Sequence, residues 1–390
     1  MSPVELRGIT WDHVRGIGGL RAASAEYRRE RPDVRVEWTA RTLQAFADQP
    51  VEELARRFDL LYIDHPSIGQ AAAAACLVPL DEHLDRSVLD DQTASSVGRS
   101  AESYEWQGHR WALATDAAGQ VAAYRPDLME RAELPIPRTW DEAAAAPAAL
   151  RRHGLWAVMP VIPVDAICSF LSVCLTLGDE PFTAQEGTVV PRETGIRALT
   201  ILASFVDDSH PSSLDWNPAV MLEHMAQADD VAYCPLAFGY SNYARPGFRE
   251  HLVRSAPPPG GPDGVPRGTL GGAGLAVTAR GSSVEEAVSY AAFVASGTVQ
   301  RGAYFAGGGQ PGHRSAWTDA TVNEASSRFF LDTLEALDAA YLRPRFDGFL
   351  SFQDCGGDLV HAFLKRPDDP QGVLDRLDAA YRASLLAARV

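Results

Sequence analysis

A strand-like run starting at Val4 ends in a polar loop at Trp11-Asp12-His13. Residues 16–32 predict a helix with its apolar residues on one face and a proline stop, and residues 34–40 a second strand. Residues 43–58 read as helical, and residues 59–66, "DLLYIDHP", as a short apolar strand. Ser67 then stands as the N-cap of a helix that continues into "AAAAACLVPLDEHL". Strands alternating with helices argue for a parallel sheet covered on both faces. Ligands of such sheets sit beyond the carboxyl ends of the strands. That rule points at two loops, Trp11-Asp12-His13 and Asp64-His65.

Further along, Thr139 with Glu142 three residues later forms a capping box, and Asp141 adds favourable charge at the same helix start. Residues 155–163 predict a strand. Residues 165–178 predict a buried helix that begins with Asp165 as its cap and stops at Gly178. Residues 194–211 predict an amphipathic helix. Residues 218–244 predict helix, strand and an aromatic loop. Residues 257–272 form the strongest loop signal, rich in Pro and Gly. A strand and a helix capped by Ser283 follow, then the glycine-rich stretch "GGGQPGHRSAW" and a mostly helical remainder from Thr321.

The order of these elements resembles the family 1 extracellular solute-binding proteins. The resemblance rests on the loop after the first strand, "DLLYIDH", "CLVPLDEHL", the run from Trp106 to Leu150, "PRTWDE", "GGAGLAVTARGSSVEEAVSYAAFV" and "GGGQPGHRSAW". It implies two hinged three-layer α/β lobes of the type II periplasmic-binding-protein kind, with a ligand cleft between them. Lobe one would hold residues 1–115 and 270–316, and lobe two residues 118–268 and 320–390. Crossovers would lie near 115–118, 268–270 and 316–320. The function it implies is reversible binding of a small polar solute, sugar-like, amine-bearing or polyhydroxylated, handed to an ABC permease if the protein is exported.

Composition changes this picture in two respects. A net charge of −16 without a basic stripe argues against nucleic acid as a partner, and no apolar run is long enough for a membrane span. The chain starts without an export signal ahead of its first strand, and its five cysteines are scattered in mostly apolar settings. Both features favour a cytoplasmic protein, or a periplasmic or extracellular one whose leader has been removed. A cytosolic setting opens two alternatives: a ligand sensor that engages a protein partner, and a biosynthetic enzyme on the same scaffold.

The candidate ligand residues from the first lobe are Trp11, whose ring face would stack on the ligand, with Asp12, His13, Asp64 and His65, and Asp116 would contribute from the crossover. Tyr240 and Asn242, flanked by Phe238 and Tyr243, would contribute from the second lobe. Gly307, Gly308, Gly309 and Gln310 would offer an anion nest, with Arg314 as a guanidinium fork. For an enzyme, His65 or His13 would move a proton and Asp64 or Asp116 would orient it, in an elimination, cyclisation or rearrangement. Asp12, His13, Asp64 and His65 are metal-ligand types, but their spacing matches no metal motif. No metal or cofactor is expected, and no triad-hydrolase or zinc-peptidase signature is present.

Overall fold

The computed structural model describes residues 4–43, 50–261, 263–281 and 283–387. Its strands are β1 (Val4–Trp11), β2 (Val34–Arg41), β3 (Leu60–Ile63), β4 (Glu105–Trp106), β5 (His109–Arg110), β6 (Leu113–Tyr124), β7 (Trp156–Ala157), β8 (Val231–Phe238), β9 (Arg254–Ala256) and β10 (Leu270–Val277). The chain divides into two compact units: residues 1–118, 271–324 and 344–347, and residues 119–270, 325–343 and 348–390. The third passage therefore falls at 324–325 rather than at 316–320. Residues 344–347 make an additional excursion into the first unit that the sequence pattern does not announce.

In the first unit β1 pairs in parallel with β2 and with β3, and β10 joins β3 antiparallel, with β6 beyond it. The carboxyl ends of β1, β2 and β3 thus share one edge, where Trp11 stands opposite Arg41. Leu6, Leu20, Leu60, Leu275, Tyr290 and Tyr304 are buried together in its core. Gly8 is required inside β1 because the Trp38 ring covers it: a Cβ there would lie 2.6 Å from that ring. The helix after β1 starts with a wide turn, Val14–Gly18, before settling into Gly19–Glu30. Thr10 Oγ1 donates 2.9 Å to the Gly16 carbonyl in that turn. Such turns widen the helix where its side chains must be re-aimed.

In the second unit β6 pairs antiparallel with β8 and with β9, and β7 lies parallel to β8. The expected strand at 155–163 shrinks to Trp156–Ala157. Its two prolines, Pro160 and Pro163, leave too few N–H groups for a longer ladder. The helix Pro163–Thr176 is buried along nearly its whole length, as its sequence implies. It packs against Phe349–Lys365, where a Cβ at Gly357 would stand 2.5 Å from the Pro163 carbonyl. That helix closes at Gly178, whose φ is +105°, with Asp179 N–H donating to Cys174 O and Gly178 N–H to Leu175 O.

Capping follows the sequence in part. Thr139 accepts the Glu142 N–H, and Glu142 reaches back to the Arg138 N–H. Ser283 forms no side-chain cap bond. Ser67 forms none either; Asp64 takes that role one turn earlier by accepting the His65 N–H at 2.8 Å. Asp165 is not a cap: the helix is entered from Ile162, with Asp165 already in its first turn. Part of the helix expected over 43–58 lies outside the described residues, and Val51–Ala55 is helical. Cys76, Cys168, Cys174 and Cys234 are buried, Cys355 is exposed, and none of the five is in a disulfide. No helix among the described residues is long and apolar enough to cross a membrane.

Candidate functional site

The polar centre of the first unit lies at the carboxyl edge of its sheet. Arg15 leaves the wide turn after β1 and grips Asp116 on β6. Its Nε donates 2.8 Å to Oδ2, and its second amino group meets Oδ1. The side chains are 5% and 0% exposed, so this two-point ion pair is withdrawn from water. Burial pushes the Asp116 carboxyl above its ordinary value, the Arg15 guanidinium opposes that shift, and Asp64 adds to it.

Hydroxyl groups surround the pair. Thr115 Oγ1 donates 3.1 Å to the Tyr62 hydroxyl, which lies 2.6 Å from the Tyr304 hydroxyl. Burial raises both phenols far above the usual range. Both stay neutral donors and acceptors beside Asp116. Trp11 stacks on Tyr62 with centroids 5.5 Å apart and planes within 9°, and the Arg15 guanidinium lies over its ring at 5.9 Å. Trp11 is therefore spent on the floor of the site. The ring is 4% exposed and packed within the core.

The loop beyond Trp11 divides its roles. Asp12 is exposed, and its N–H donates to Arg41 O. His13 is half-buried, and its Nδ1 accepts the Arg15 N–H at 3.0 Å, so the ring caps the turn that carries Arg15. At the end of β3, Asp64 is half-exposed whereas His65 is buried, and His65 Nδ1 lies 3.0 Å from Asp64 Oδ1. The imidazole thus sits behind the carboxylate and fixes its direction. Arg41 closes the edge at the end of β2, with burial lowering its proton affinity to about 10.

The glycine-rich segment has another task than the one its composition implies. Gly309 N–H donates to Tyr304 O and Gly308 N–H to Phe305 O, with Gly308 at φ +101°. Those two bonds terminate the preceding helix as a Schellman cap. The Gly307 N–H is likewise taken by Ala303 O. The anion nest is corrected accordingly: its donors already hold carbonyls. Gln310 is wholly buried and donates 2.9 Å to Ala117 O, Pro311 bridges to Asp116, and Gly312 N–H reaches Thr115 O. The segment clamps the piece of β6 that carries Asp116. Arg314 Nε donates 2.9 Å to Ser96 O, so this side chain ties the loop to its neighbour rather than standing as a fork.

In the second unit Tyr240 and Asn242 are buried, together with Tyr243, whose hydroxyl donates to Glu223 Oε2 at 3.0 Å. Tyr240 and Tyr243 belong to that unit's core, so the aromatic loop is largely packed on itself. Phe238 is half-buried at the end of β8. The residue that sequence reasoning missed is Asp165. It is buried, its Oδ2 has no hydrogen-bond partner, and burial pushes its carboxyl up to about 8 against a pull from Arg343. A lone Asp at a helix start reads as a cap; only burial distinguishes it.

Residues 15–154 match the model of the bacterial extracellular solute-binding proteins. The chain has that family's fold. Maltose-bound MalE3 of T. maritima gives a TM-score of 0.84 at 21% identity, over 97% of this chain and 99% of that one. An ABC transporter solute-binding protein of Agrobacterium radiobacter, in complex with ribitol, gives 0.81 at 19% identity, over 96% and 97%. One from Thermotoga lettingae, bound with alpha-D-tagatose, gives 0.83 at 16% identity, over 98% and 100%. At these identities the likeness is one of fold. No curated protein matches by sequence. The solute-binding fold explains why the polar groups of the first unit gather where its parallel strands end.

Proposed function

We propose that this chain binds a small polyhydroxylated solute of the sugar or polyol class, and that it serves an ABC permease. The observation that carries the reading is the end-to-end fold shared with proteins whose structures hold maltose, ribitol and tagatose. The first unit supplies suitable chemistry. Asp12 and Asp64, at the ends of β1 and β3, would accept from sugar hydroxyls, and Arg41 at the end of the neighbouring β2 would supply a donor. His65 is a positioning residue for Asp64, and His13 for the turn that carries Arg15. Arg15 and Asp116 hold a charged floor in fixed orientation.

A thermal-shift panel of pentitols, hexitols, mono- and disaccharides tests the reading. A solute at about 100 times its dissociation constant adds about 2.7 kcal/mol to stability. Asp12→Ala and Asp64→Ala should each abolish most of that shift, while His65→Ala should weaken it without removing it. A panel in which no sugar or polyol raises the midpoint counts against the proposal.

A further inference from the structure

Three metal-ligand side chains of the second unit converge from separate elements. His210 precedes the turn Pro211–Leu214, His224 lies in the last turn of the helix Pro218–Met225, and Asp230 leads into β8. One ligand atom from each lies within 4.8 Å of the other two. His224 Nε2 is 2.8 Å from Asp230 Oδ1, and His210 Nε2 is 3.9 Å from Asp230 Oδ2. We propose that His210, His224 and Asp230 form a labile site for a divalent transition metal of the zinc class, with water completing the coordination.

Two imidazoles and a carboxylate are the donor set that zinc accepts with one position left open. The frame around them is fixed. Trp156 N–H donates 2.7 Å to Asp230 O, and His210 N–H donates 2.8 Å to Ala157 O, so β7 ties two of the ligands together. The rings are held between indoles: Trp216 stacks on His210 at 4.9 Å and lies 4.6 Å from His224, and Trp156 meets His210 edge-on at 5.5 Å. Asn217 caps the helix that carries His224. A neighbouring group, Asp127, Asp229 and His251, has similar spacing but already holds a cation, because the Arg125 guanidinium bonds both carboxylates at 2.6–2.8 Å.

One feature sets the strength of the site. His210 Nδ1 accepts the Ser212 N–H at 3.2 Å, so the neutral ring carries its proton on Nε2. Metal binding through Nε2 moves that proton to Nδ1 and gives up the Ser212 bond. The metal is therefore exchangeable rather than tightly held.

The test uses the untagged full chain after EDTA treatment, titrated with zinc chloride by calorimetry and with copper(II) by tryptophan fluorescence. The proposal expects one equivalent of zinc bound and copper quenching through Trp216. His210→Ala and His224→Ala should each weaken binding by about tenfold or more. His153→Ala, an exposed histidine outside the group, should leave it unchanged. Absence of saturable zinc uptake, or uptake that persists in the His210→Ala/His224→Ala double variant, overturns it. If the alanine variants do not fold, NMR of the wild-type imidazoles decides: zinc must perturb the rings of His210 and His224, and undisturbed rings overturn the proposal.

Discussion

The charge at the centre of the first unit is held by one guanidinium. Asp116→Asn leaves Arg15 buried without its counter-ion, and it should destabilise the protein by about 3–5 kcal/mol in urea unfolding. The double variant Arg15→Met/Asp116→Leu should lose less than the sum of the single losses, since neither charge then remains buried alone. Asp165 behaves oppositely. Its carboxyl is raised from 3.8 in the unfolded chain to about 8 in the fold, so between those values the native state binds the extra proton. Unfolding free energy should therefore fall as pH rises through that window, by up to about 1.4 kcal/mol per unit from this group. Asp165→Asn should remove that slope, so the variant gains on the wild type between pH 5 and pH 8. Equal slopes in urea midpoints would contradict the assignment. Sequence placed Asp12 and Asp64 near strand ends, because apolar runs locate where strands stop, whereas Asp116 came from the resemblance, as a crossover residue, and lies within β6. It misread Asp165 as a cap because burial belongs to the packed molecule, and for the same reason it did not announce that Trp11 stacks on Tyr62.

Elements were legible where local chemistry alone decides them. Thr139 and Gly178 mark a helix start and a helix end through bonds made within a few residues, and both stand where the sequence puts them. Ser67 lost its role to Asp64 because two capping residues stood within one turn. The glycine run 307–309 was ambiguous by nature, since an anion nest and a helix terminus demand the same φ > 0. Its packing explains the composition: a Cβ at Gly18 would stand 2.2 Å from Gly307 O, so backbone meets backbone there. Gly18→Ala should cost about 1–3 kcal/mol, read as a lowered urea midpoint, because a carbonyl cannot yield as a flexible side chain does. An unchanged midpoint would show that the contact relaxes freely.

At the scale of the whole chain, the order of strands and helices carried the fold, since βα alternation restricts the topologies that can follow. The extra excursion at 344–347 was not legible, because it depends on Gly69 admitting the backbone of Arg345 and Asp347 to close contact. The ligand class was equally beyond reach, since carboxylates and an arginine at strand ends serve many polar solutes.

The central claim is that the carboxyl edge of the first unit grips a sugar or polyol. Calorimetric titration of the chain with the solute selected by thermal shift, alongside Asp12→Ala/Asp64→Ala, tests it most directly. Saturable one-to-one binding in the wild type, weakened by about tenfold or more in the double variant, is the predicted result. Binding of equal strength in both proteins would contradict it.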